Sequence, residues 1–277
     1  MGQMIKTWTG RLSSRNKRYT STSVAGTKRR SSFYLFITIA ISFTAFWGFT
    51  YTYFAPVIAG TYPEVSPALH IHGWSFFLWY LLVPIQALLM ATGKRHLHMT
   101  LGSASLVLAT VMVFTGVLVA SVRIEHALSA TEVNEFVTLW AFFGQLIMYN
   151  MILFVIFYGT AIARRKQPDI HKRMIVLASA CALPAAIFRI IVGLGDLYWL
   201  TTPAWVIPAA FILPAVFILI AMAHDRIVKG SVHRAYIIGL TILLALHGFG
   251  LITAGTATGE AISRFMALFA KVFGFLY

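Results

Sequence analysis

Apolar residues fall into seven long stretches separated by short polar segments, at about 34–58, 68–92, 100–122, 136–163, 173–195, 204–223 and 235–256. Each is long enough, at about 1.5 Å per residue, to cross a hydrocarbon core of roughly 30 Å. The pattern predicts an all-α polytopic membrane bundle of seven transmembrane helices, spanning residues 34–256. Pro184, Pro208 and Pro214 sit inside spans, where a missing N–H predicts kinks. Gly248, Gly250 and Gly255 predict close helix approach. After the breaker GTATG, residues Ile262, Phe265, Met266, Phe269, Phe273 and Leu276 recur at helical spacing, and Arg264 and Lys271 share another face. Residues 257–277 therefore read as a short amphipathic helix on the outer membrane surface. An eighth span there would be only about 17 residues long and would carry two cations into lipid.

Loop charge sets the orientation. TYPEVSPA, RIEHALSATEVNE and DLYWLTTPAW are acidic or neutral, whereas GKRHLHMT, ARRKQPDIHKR and HDRIVKGSVHR are basic. The acid-free tail 1–33 and the three basic loops hold 18 Lys/Arg, and the other three loops hold one, Arg123. The positive-inside rule then places the N-terminus in the cytoplasm and the C-terminus outside. Rhodopsins and G-protein-coupled receptors have the opposite orientation, and the last span has no Lys for a retinal Schiff base.

Composition agrees: 59% of residues are hydrophobic and 11% charged, against about 25% charged in soluble domains. A net charge of +14 would point to nucleic acid in a soluble chain. Its confinement to tail and loops points instead to the lipid bilayer and to anionic lipid at the basic face, with no nucleic-acid partner. The tail 1–33 reads as a disordered cytoplasmic segment. Its Ser/Thr/Arg-rich composition also resembles a mitochondrial transit peptide, so the bacterial inner membrane and the mitochondrial inner membrane are the two locations to weigh, the first favoured. The single cysteine, Cys181, excludes an intrachain disulfide.

Ionisable groups inside hydrocarbon are costly and mark candidate sites. They are His72 in the second span, Arg189 in the fifth and His247 in the seventh, with the amides Gln86, Gln145 and Asn150. Counting about 1.5 Å per residue from the span ends puts His72, Gln145, Arg189 and His247 in the outer half of the bilayer. If their helices adjoin, these groups share one polar pocket. Asp196, seven residues beyond Arg189, could neutralise it. His72 shares a helical stripe with Phe76, Trp79, Val83 and Gln86, which predicts an inward face. The alternative to a ligand role for His72 is a hydrogen bond to a carbonyl within ordinary packing.

His96, His98, His171, His224 and His233 all fall in the basic loops. His98, His171 and His233 each lie close to the start of a span. They read either as interfacial groups that bind lipid phosphate or cap helices, or as a cytoplasmic-face site for an anion or a haem propionate. His70 and His72, like His96 and His98, are two apart and point to opposite sides of a helix. A metal site is weaker, because Asp169 and Asp225 are the only carboxylates in those loops. Nucleotide, serine-elbow and thiol motifs are absent from the sequence.

The run HIHGWSFFLWYLLVPIQALLMATGKRHLHMTLG, then PDIHKRMIVLAS, then a Pro before an in-span Arg, then VHRAY, resembles a family of uncharacterised bacterial seven-span inner-membrane proteins, over residues 35–250. His in spans and the element His98-Met99-Thr100-Leu101-Gly102 are also similar to b-type membrane cytochromes. In those, paired in-span His on facing helices hold the haem. Here His72 and His247 are the pair available, at depths that differ by several Å. The leading expectation is an outer-half pocket binding haem b or another small redox or metal ligand through His72 and His247, with Arg189 as anion partner. The rivals are a transporter or sensor that binds an organic anion through Arg189, and an accessory or assembly subunit. Whether the protein is an enzyme stays open.

Overall fold

The computed structural model describes residues 32–132, 135–195 and 205–277, and all regular structure among them is helical. The tail before residue 32 and segment 196–204, with Asp196, lie outside the described residues. The first apolar stretch, Ser32–Ile58, comprises α1 (32–49), a π-helical turn Thr50–Phe54 and α2 (Ala55–Ile58). Then come α3 (Pro67–Ala91), α4 (Arg95–Ser129) and α5 (Glu135–Ala163). Next are α6 (Pro168–Cys181), α7 (Pro184–Leu194), α8 (Val206–Ile212) and α9 (Ala215–Lys229), followed by α10 (Arg234–Thr253) and α11 (Ala257–Phe273). Six segments are long and apolar enough to span a membrane, and α6 with α7 adds a seventh if that bent pair is one span.

The breaks follow proline chemistry. Pro184 has no N–H to return to Ala180, and the chain bends by 44° between α6 and α7. Pro214 separates α8 from α9 in the same way. Pro56 cannot donate to the Thr52 carbonyl, and the turn before it widens, with Ala55 N–H returning to Thr50 O. Pro208, inside the seven-residue α8, falls where its missing N–H costs no bond.

Two helices outrun their predicted ends. α4 starts about five residues early and continues about seven past residue 122, through RIEHALS. Its last turns keep an apolar stripe, in which Ala120, Ile124 and Ala127 are buried. α9 runs on through HDRIVK because Asp225 is buried there, only 1% exposed. The predicted inward stripe of α3 holds: Phe76, Trp79 and Val83 are buried.

α5, α6 and α10 form the middle of the bundle; α5 touches α4, α6, α10 and α11, and α6 touches α3, α9 and α10. Glycine sets the tightest crossings. A Cβ on Gly48 of α1 would collide with the Ala186 backbone of α7, and one on Gly250 of α10 with Leu146 of α5. Of the three glycines expected to permit close approach, only Gly250 does so. Gly248 has open space beside it, and Gly255 ends α10 at φ +74°.

α11 packs against α4 and α5 through small residues. Gly259, Ser263, Ala267 and Ala270 are buried, and Ser263 Oγ donates to Ala141 O at 3.3 Å. Glu260, Arg264 and Lys271 lie about 90° round the helix from that face, and the ring of Phe269 meets Phe114 at 5.8 Å. Phe265, 74% exposed, points away from the bundle.

Candidate functional site

Arg189 projects from α7 toward the π turn, which α7 contacts. Its Nε donates to Thr52 Oγ1 at 2.9 Å and its Nη1 to the Ala185 carbonyl at 2.8 Å. The guanidinium stands 4.4 Å from the ring centre of Phe49, a cation–π distance. Among the described residues no carboxylate lies within ion-pair reach of it. π turns recur at functional sites. Here the turn presents Thr52 to the only cation expected in the apolar part of the fifth stretch.

His72 and His247, by contrast, are served by different neighbours. His72 Nδ1 lies 3.2 Å from the Met112 carbonyl and 3.4 Å from Thr115 Oγ1, both on α4. Its ring lies against Gly116, where an added Cβ would be 2.8 Å from Cε1 and 3.1 Å from Met151 Sδ. His247 is 1% exposed; its Nε2 donates to Asn150 Oδ1 at 3.0 Å and its ring meets Phe211 at 5.3 Å. Consecutive residues of α5 therefore attend the two histidines, Met151 beside His72 and Asn150 on His247. Consecutive helical side chains diverge by about 100°. The two imidazoles thus meet α5 on different sides; Nε2 of His247 is taken by the Asn150 amide, while its buried Nδ1 makes no hydrogen bond. Gln145, the fourth group expected in the pocket, instead ties α5 to α10: its Nε2 donates to Gly250 O at 3.1 Å and Thr253 Oγ1 at 3.2 Å.

The basic end holds a cluster that sequence reasoning missed. Arg173, fully buried, donates from Nε to Asp225 Oδ2 at 2.8 Å and from Nη2 to Asp225 Oδ1 at 2.5 Å. Its Nη1 donates to the Asp169 carbonyl at 2.5 Å, and Lys172 and Lys229 reach Asp169 Oδ1 at 3.1 and 2.9 Å. The fork clamps the start of α6 to the end of α9. His233 caps α10 by accepting from Ala235 N–H at 3.1 Å. Burial, then the charges of Arg173 and Lys229, push its pKa down, so the neutral, accepting form is favoured. His98 of α4 and His171 of α6 have ring centres 6.2 Å apart. Their Nδ1 atoms face the carbonyls of Gln86, at 3.3 Å, and Ala161, at 2.8 Å. Among the described residues no group of three or more His, Cys, Asp or Glu side chains could hold a metal.

No protein family, no characterised protein and no solved structure matches the chain.

Proposed function

We propose that this is a seven-span protein of the bacterial inner membrane, with the N-terminus inside and α11 outside, whose outer-half site binds a small organic anion at Arg189. The observation that carries the reading is the state of that guanidinium. It is half-buried, fixed by Thr52 and the Ala185 carbonyl, stacked on Phe49 and without a carboxylate among the described residues. A cation in hydrocarbon costs about 2.5–3.5 kcal/mol on insertion scales. A carboxylate ligand would neutralise it and accept its remaining N–H donors. A receptor, a carrier and a sensor all use such a site. Haem b across His72 and His247 has less support, because the two rings meet α5 on different sides, one beside Met151 and the other on Asn150.

Thermal unfolding of the purified protein in detergent, with acetate, lactate, succinate and benzoate at millimolar concentration, tests the reading. At least one anion should raise Tm, and Arg189→Ala should abolish that rise while Arg189→Lys keeps part of it. No response to any anion, or an undiminished rise in Arg189→Ala, would count against an anion site here.

A further inference from the structure

At the basic end, far from Arg189, the ends of α3 and α5 meet the starts of α4 and α6. His98 and His171 come together there from two helices, with ring centres 6.2 Å apart and planes at 87°. Each ring turns Nδ1 toward a main-chain carbonyl, Gln86 O for His98 and Ala161 O for His171. That pairing fixes the proton on Nδ1 and leaves Nε2 with its lone pair. No hydrogen bond engages Nε2 of either ring among the described residues. A second nitrogen donating to a backbone carbonyl is the usual outer support of a metal-bound imidazole, because it sets tautomer and orientation. The spacing agrees. With metal–nitrogen bonds of about 2 Å and about 1.1 Å from ring nitrogen to ring centre, two imidazoles on opposite sides of one ion stand about 6 Å apart.

A third feature points to the same place. Gly102 lies one turn beyond His98 on the same face of α4. The Gln86 amide lies against this glycine, with Nε2 3.6 Å from where a Cβ would be, an ordinary contact distance. The amide oxygen, Gln86 Oε1, is buried there and has no hydrogen-bond partner. A buried, unpaired acceptor one helical turn from His98 calls for a donor such as bound water or for an ion.

We propose that His98 and His171 are the two imidazole ligands of one metal centre at the basic end, either a free transition-metal ion or the iron of a haem. Lys94 and Arg95 lie four and three residues before His98. They oppose a bare dication and would pair with the propionates of a haem, so charge favours the second source. The proposal is independent of the Arg189 reading, and neither test reports on the other.

The test uses the purified full chain in detergent. Hemin is titrated by absorbance, and Zn(II) and Cu(I) are titrated against a chromophoric chelator. The wild type should bind one equivalent, either of hemin with a six-coordinate bis-imidazole spectrum or of an ion without one; which probe binds identifies the source. His98→Ala and His171→Ala should each weaken that binding by about tenfold or more. His96→Ala, on the opposite side of α4, should leave it unchanged. Helical circular dichroism and a single elution peak verify that each variant is folded. If the wild type binds none of the three probes stoichiometrically, or if the folded His98→Ala/His171→Ala double variant binds as well as the wild type, the proposal is overturned.

Discussion

Arg173 shows how much one residue can depend on another far along the chain. Its guanidinium and the Asp225 carboxylate are both shut away from solvent, joined by two parallel hydrogen bonds. In a buried fork of this kind the attraction offsets a large desolvation cost, and removing one partner leaves the other charge buried and unpaired, at a cost of about 3–5 kcal/mol. Asp225→Asn should therefore lower the unfolding free energy by about that amount. The Arg173→Met/Asp225→Leu pair, which removes both charges together, should recover most of it. Thermal unfolding of the three variants beside the wild type measures the difference, and an Asp225→Asn protein as stable as the wild type would contradict the clamp. The pair was not legible in the sequence. Arg173 and Asp225 are 52 residues apart, in two loops that read simply as basic, and no local spacing links them. His72, Arg189 and His247 were legible as polar groups in apolar stretches. Their partners were not: Thr52 and Met112 come from other helices and look unremarkable in sequence, and Asn150, though visible as an in-span amide, gave no sign that it meets His247.

At the scale of elements, the positions of the apolar stretches and the breaks at Pro184 and Pro214 carried well from sequence to structure, while helix ends and faces did not. The break before Pro184 and the apolar stretches themselves appear where the residues predict them. α11 differs in what it buries. Its large apolar residues suggest a helix lying on lipid, yet the side that meets α4 and α5 is Gly259, Ser263, Ala267 and Ala270. In lipid, large apolar groups gain nothing from leaving one apolar medium for another, so close packing of small residues drives helix contact. A hydrophobicity pattern cannot separate the two kinds of face. The same contact explains the long α4, whose Ile124 packs in a cluster with Ala267. Enlarging Ala267, 4% exposed, to Leu should force α11 off this surface and cost about 1–3 kcal/mol. Phe265→Leu, on the exposed side, should stay within about 0.5 kcal/mol of wild type. Equal thermal stability of Ala267→Leu and Phe265→Leu would show that α11 does not rely on the small-residue contact.

For the whole molecule, topology turns on whether the bent pair α6–α7 crosses the membrane or turns back within it. The Arg173–Asp225 fork bears on this. It sets the end of α9 level with the start of α6, and Lys229 on Asp169 repeats the registration. If α6–α7 turned back, α8–α9 would start at the level where α6 starts and finish at the other face, and these side chains could not meet. The fork is what a crossing pair requires, and the odd number of spans proposed above agrees with the alternation of basic and acidic loops. It follows that the turns around Lys166 and Ser231 should face the cytoplasm, while Thr61 and Glu260 face outward. Cys181, the only native thiol, is buried, so Cys181→Ser gives a clean background for single cysteines placed at these four exposed positions. In intact cells a membrane-impermeant maleimide should label Thr61→Cys and Glu260→Cys at once, and Lys166→Cys and Ser231→Cys only after the cells are opened. Labelling of Thr61→Cys together with Ser231→Cys, but not Lys166→Cys, would mean that α6–α7 is re-entrant. It would also mean that the fork joins helices in some other arrangement than the one described.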